Sequence, residues 1–176
     1  ATPKRSDGLE KVNDMLLGPI RYSYTAKEKA KAQGIAHLVY PRFTRTVAPR
    51  GAADKMHPNE AYELVRNNEM RNEQILADIK ECIAAGRTPV VLSKYKDHSE
   101  KLYERIKSCA DKVFLMTGNN SKKEHREIRQ QMQLVSPEET LVLVATGSLV
   151  GEGFDFPRLD TLIMATPVSF RSVLEQ

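Results

Sequence analysis

From residue 59 onward the chain alternates between a helical and an extended apolar pattern. In "NEAYELVRNNEMRNEQILADIKECIAAGR" (59–87), Ile75, Ile79 and Ile83 recur every four positions, with Leu76 and Cys82 beside them. One face is therefore apolar, and the stretch is expected to be helical throughout. Gly86 is the expected stop. "TPVVLS" (88–93) is short, apolar and β-branched, as in a strand covered on both faces. "DHSEKLYERIKSCA" opens with Asp97 and Glu100 at capping-box spacing and sets Leu102 and Ile106 on one side. "KVFLM" (112–116) predicts the next strand. "SKKEHREIRQQMQLV" (121–135) opens with a second capping box, Ser121 and Glu124, and would bury Ile128, Met132 and Val135. "TLVLVA" (140–145) and "TLIMA" (161–165) predict two further strands. Strands and helices joined by short connections imply right-handed βαβ units in one parallel sheet, covered by helices.

Residues before 59 are less regular. Residues 1–14 show no clear period. "PIRYSY" (19–24) alternates as a short strand would. "AKEKAKAQGI" (26–35) suits a helical turn or a surface loop. "HLVYPRFTRTV" (37–47) is rich in β-formers, but Pro41 restricts it to an edge strand or two short pieces. "APRGAADKMHP" (48–58), with two prolines and a glycine, reads as a linker. The expected organisation is an N-terminal part over 1–48, a linker or long loop over 49–58, and an α/β domain over 59–176.

Composition adds bounds rather than a function. The 176 residues are 40% hydrophobic and 28% charged, as in an ordinary globular protein. No apolar run reaches the ~18 residues of a membrane span. The polar N-terminus lacks a signal-peptide stretch, and Cys82 and Cys109 stand apart without a CxxC pattern, so a cytoplasmic chain with reduced thiols is expected. The formal net charge of +4 admits an anionic partner without identifying one.

In parallel sheets the functional loops leave the C-terminal strand ends. Here these loops are "SKYKDH", "TGNN" and "TGSLVGEGFDFP". Ser93, Thr117, Gly118, Thr146, Gly147 and Ser148 stand where short hydroxyls and free backbone N–H groups would meet a phosphate. The same residue types also follow strands simply because they cap helices and make turns. "GEGFDF" lacks a third glycine and precedes a strand, so it is no dinucleotide fingerprint, and GxxxxGK[ST] does not occur. The four histidines show no metal-ligand spacing, and GxSxG is missing. No complete catalytic apparatus is legible.

Several stretches, in order, carry a resemblance. "VATGSLVGEGFDFPRLDTLIMATP" resembles motif V of superfamily 2 helicases of the DEAD/DEAH-like group that includes restriction-enzyme helicase subunits. "PVVLSKYKDHSEKLYERI" resembles motif IV with its following helix, and "VFLMTGNNSKKEHREI" the motif IVa segment. "ATPKRSDG" resembles motif III, "VLEQ" the opening of motif VI, and "NEMRNEQI" the "RN-x-x-I" stretch that precedes motif IV. The resemblance implies a three-layer RecA-like (P-loop NTPase-type) fold: a parallel sheet flanked by helices. It also implies a two-lobed motor. This chain would be the second lobe, together with the tail of the first and the connection between them (1–48), and would stop before the motif VI arginines.

Further expectations follow from the resemblance. ATP and Mg²⁺ would be cofactors, with the Mg²⁺ ligands and phosphate loop in the first lobe. Gly151 and Gly153 would let backbone approach the nucleotide, Asp155 would accept from its ribose hydroxyls, and Gln176 would belong to the same site. Ser93, Lys94, Thr117, Gly118, Thr146, Gly147 and Ser148 would meet the backbone of a single- or double-stranded nucleic acid, expected to be DNA. Compared with the shorter DEAD-box loop, an extra residue separates Thr146 from Asp155, which affects the assignment of Ser148 and Leu149. The other partner would be the first RecA-like lobe; no membrane is involved. The fragment alone would be inactive as an ATPase. Two alternatives remain: a RecA-like nucleic-acid-binding module without motor activity, and a Rossmann-like nucleotide-sugar enzyme with a complete pocket of its own.

Overall fold

The structure, a computed structural model, describes residues 10–34, 36–49, 51, 56–146 and 156–167. The chain divides into two units, one formed by residues 1–43 with 169–176 and one by residues 44–168.

In the first unit the described elements are two short helices, α1 (Glu10–Leu17) and α2 (Ala26–Gln33). A capping box starts α2: Thr25 N–H donates to Glu28 Oε2 at 2.7 Å, and Glu28 N–H donates to Thr25 Oγ1 at 3.2 Å. The strand expected over residues 19–24 is not formed, and neither is any strand over 37–47. Alternation alone does not make a strand, because its N–H and C=O groups need a ladder partner. Ile20, Tyr22, Tyr24, Leu38, Val39, Tyr40 and Phe43 are all exposed.

The second unit holds the sheet. Its elements are α3 (Pro58–Asn67), α4 (Glu69–Ala84), β1 (Pro89–Ser93), α5 (Lys96–Ile106), β2 (Lys112–Met116), α6 (Lys122–Leu134), β3 (Leu141–Thr146) and β4 (Thr161–Met164). The strands run parallel in the order β2-β3-β1-β4.

Residue alternation sorts the strands onto two apolar layers. Val91, Val142, Val144 and Ala165 pack with Ile75, Leu76 and Ile79 of α4 and Leu102 and Ile106 of α5. On the other face Val90, Leu141, Leu143, Ala145 and Met116 pack with Met132 of α6, joined by Ile128, Val135, Phe156 and Leu159. Every residue of β3 is buried, as expected for a central strand covered on both faces.

The helices deviate from the sequence expectation at two starts. Residues 59–87 are not one helix: Asn68 is extended (φ −75°, ψ 107°), closes α3 and caps α4 by accepting from Arg71 N–H at 2.9 Å. Asp97 does not cap α5. The helix begins two residues earlier than an Asp97 cap would place it, with Tyr95 at the cap position and no side-chain cap, while the Asp97 carboxylate pairs with Arg66 at 3.0 Å. Ser121 and Glu124 do form the expected capping box on α6. Gly86, at φ +70°, ends the α4 segment in a conformation that favours glycine.

Candidate nucleic-acid interface

The C-terminal ends of β1, β2 and β3 bring together the hydroxyl residues singled out in the sequence. Ser93 and Thr146 are direct partners across the β1–β3 ladder. Thr117 follows Met116, which pairs with Ala145. Thr166, just beyond β4, accepts from Lys94 N–H at 2.7 Å and ties the β1 exit to the β4 exit. All four hydroxyl residues are buried, whereas Lys94 and Gly118 are exposed.

Ser93 is held from within. Its Oγ lies 2.9 Å from His98 Nδ1 and accepts from Tyr95 N–H at 3.2 Å. His98 Nε2 lies 3.0 Å from Asn72 Oδ1, and the Asn72 amide nitrogen donates to Arg66 C=O at 3.0 Å. This last bond orients the amide so that its oxygen faces the imidazole. His98 therefore donates from Nε2, accepts at Nδ1 from the Ser93 hydroxyl, and is a neutral tautomer. Burial pulls its pKa from the ordinary 6.5 down to about 4; the positive charges of Arg71, Lys101 and Arg66 act in the same direction, and Asp97 opposes them. The chain Asn72–His98–Ser93 fixes the turn that presents Lys94 and Tyr95. Sequence inspection does not find it, because its members lie on two helices and a strand.

Thr117 is also engaged: its N–H and hydroxyl both donate to Asn120 Oδ1, at 2.7 and 3.1 Å, closing the "TGNN" turn. The Thr146 hydroxyl differs. It is buried and has no hydrogen-bond partner among the described residues. A buried hydroxyl without a partner is costly, and residues 147–155, which follow Thr146 directly, lie outside the described residues.

Gly147, Ser148, Gly151, Gly153, Asp155 and Gln176 lie outside the described residues. Among the described residues no group of three or more His, Cys, Asp or Glu side chains is placed to hold a metal ion, and no helix is long and apolar enough to cross a membrane. Cys82 and Cys109 are free and half-buried.

Comparison with known proteins adds two findings. "Putative helicase 161L" of Invertebrate iridescent virus 6 is 30% identical to this chain over 178 aligned residues. The alignment covers 96% of this chain and 38% of the viral protein, so the chain spans well under half of that relative's length. The structure of T4 UvsW matches with a TM-score of 0.57 at 17% identity, over 68% of this chain and 24% of that one. The fold is RecA-like. At that identity the match speaks to architecture alone, and it agrees with the four-stranded parallel sheet between helices. No protein-family model matches the chain.

Proposed function

We propose that this chain is the second RecA-like lobe of an ATP-dependent nucleic-acid helicase or translocase. In this reading it supplies backbone contacts to the nucleic acid and one wall of the ATP site. The observation that carries the reading is the C-terminal sheet edge. It sets the buried Thr146 hydroxyl, which has no partner among the described residues, beside the Ser93 turn and the exposed Lys94, in a chain similar along almost its whole length to a protein described as a helicase.

The roles divide by chemistry. Lys94 supplies a mobile positive charge for a phosphate, and exposed Gly118 leaves room for close backbone approach. Thr146 supplies a hydroxyl whose partner is the ligand. Ser93 works indirectly, through the hydrogen-bonded chain that fixes the Lys94 turn. Gly147 and Ser148 would extend the same edge. Gly151, Gly153 and Asp155 would meet the nucleotide, with Asp155 accepting from ribose hydroxyls, and Gln176 would join them. Mg²⁺ and the phosphate loop would belong to a first lobe, because nucleotide hydrolysis in this class needs two lobes to close on the γ-phosphate. The motif set favours the branch that includes restriction-enzyme helicase subunits, with DNA as the nucleic acid.

One lobe offers only one wall of each site. Single-stranded DNA should therefore bind the chain weakly, and affinity should fall steeply as salt rises, because phosphate contacts dominate. Fluorescence anisotropy of a labelled single strand across a salt series tests this. Binding that ignores salt would contradict the reading.

A further inference from the structure

Four side chains from two segments meet beside the C-terminal end of β1. Tyr62 and Arg66 lie one turn apart on α3, and Lys94 and Tyr95 form the turn between β1 and α5. The Tyr62 and Tyr95 rings meet edge to face, with centroids 5.7 Å apart at an interplanar angle of 61°. Lys94 Nζ lies 4.5 Å from the Tyr62 centroid and 5.7 Å from that of Tyr95. The Arg66 guanidinium carbon lies 4.8 Å from the Tyr95 centroid.

The cluster is pre-organised. Lys94 N–H is held by Thr166 and Tyr95 N–H by Ser93. Arg66 is held by Glu63 at 3.1 Å and by Asp97 at 3.0 Å. Both tyrosines are only half-buried, and neither belongs to either apolar layer of the sheet. Arg66 has its carboxylates. Lys94, among the described residues, has none, and its exposed ammonium rests against the two rings.

A cation resting on two rings is easily exchanged. A ligand carrying both a phosphate and an aromatic base can draw the ammonium to the phosphate and take the vacated ring face for its base. We propose that Tyr62 and Tyr95 form a stacking platform for one base of a single-stranded nucleic acid, with Lys94 as a latch that moves from the rings to the adjacent phosphodiester. The platform is sequence-tolerant, since every base has a π-face. It rests on the nucleic-acid reading above and adds base stacking to it. No covalent step is involved.

The test measures equilibrium binding of the full chain to two labelled probes of about 12 nucleotides, within the usual range of single-strand sites. One is oligothymidylate and the other the same backbone with abasic tetrahydrofuran units. The abasic probe should bind between about fivefold and a hundredfold more weakly. Tyr62→Ala and Tyr95→Ala should each weaken thymidylate binding and leave abasic binding unchanged, which also shows that the variants are folded. Tyr62→Phe and Tyr95→Phe should retain the preference. Equal affinity for the two probes would overturn the platform and leave the nucleic-acid reading intact. A preference for bases that survives both alanine variants would place stacking elsewhere and overturn the assignment to these tyrosines. Failure of both probes to bind would overturn the nucleic-acid reading and the platform with it.

Discussion

Ser93 Oγ and His98 Nδ1 stand 2.9 Å apart in the interior, five residues apart in sequence, across the turn that leaves β1. That bond and the one from His98 Nε2 to Asn72 make a buried imidazole the joint between a strand end and two helices.

The joint is pH-sensitive in a defined direction. In the fold His98 titrates near 4, while an unfolded histidine has the ordinary 6.5. Between these values the unfolded state binds more protons, so stability falls as pH drops through 6.5 and this contribution levels off below about 4. The loss between pH 7 and pH 4 should be about 3 kcal/mol. The readout is the difference between the wild type and His98→Gln in urea unfolding from pH 7 to pH 4, which cancels the contribution of acidic side chains. Parallel stability curves would contradict the assignment.

Removing the far end of the joint should cost more than an average polar contact. Asn72→Leu leaves the His98 Nε2–H and the Arg66 carbonyl without their partner, both in buried surroundings. A loss of roughly 2 kcal/mol or more is expected. Chemical denaturation with an unchanged m-value checks it, and a loss below about 0.5 kcal/mol would mean that water replaces the amide.

Two helix starts that look alike in sequence should respond differently. Ser121→Ala removes a formed capping box and should cost about 1 kcal/mol. Asp97→Ala removes only an exposed ion pair with Arg66 and should cost about 0.5 kcal/mol or less. Thermal unfolding of the two variants side by side distinguishes them.

Leu102 is fully buried between α5 and the sheet. Leu102→Ala should destabilise the second unit by about 2–5 kcal/mol through lost transfer energy and a residual cavity. Denaturant unfolding measures it.

The sheet was legible because each of its strands is an apolar run bounded by turns, and such runs have few other ways to be buried. The inner faces of α4, α5 and α6 followed from four-residue spacing at Ile75 and Ile79, at Leu102 and Ile106, and at Ile128 and Met132. Local competition was less visible. Asn68 breaks a periodic stretch because its side chain serves Arg71 N–H, and Asp97 is drawn away from capping by Arg66. The β-rich stretch at 37–47 failed as a strand because β-propensity describes fit to a neighbour that is not supplied there. At the site, Ser93, Thr117 and Thr146 were expected on one edge and lie there. Which hydroxyls are already engaged depends on Asn72, His98 and Asn120, and that follows from the fold rather than from spacing.

ATP turnover measured on this chain alone and on a protein containing both lobes, each with and without single-stranded DNA, bears directly on whether these residues are half of a motor. The two-lobed protein should hydrolyse ATP faster when DNA is present, Asp155→Ala should weaken its nucleotide use, and Thr146→Ala should reduce the stimulation. The chain alone should hydrolyse none, because no phosphate loop is present in its sequence. DNA-stimulated hydrolysis by the chain alone would show a complete site within these residues and contradict the two-lobe account.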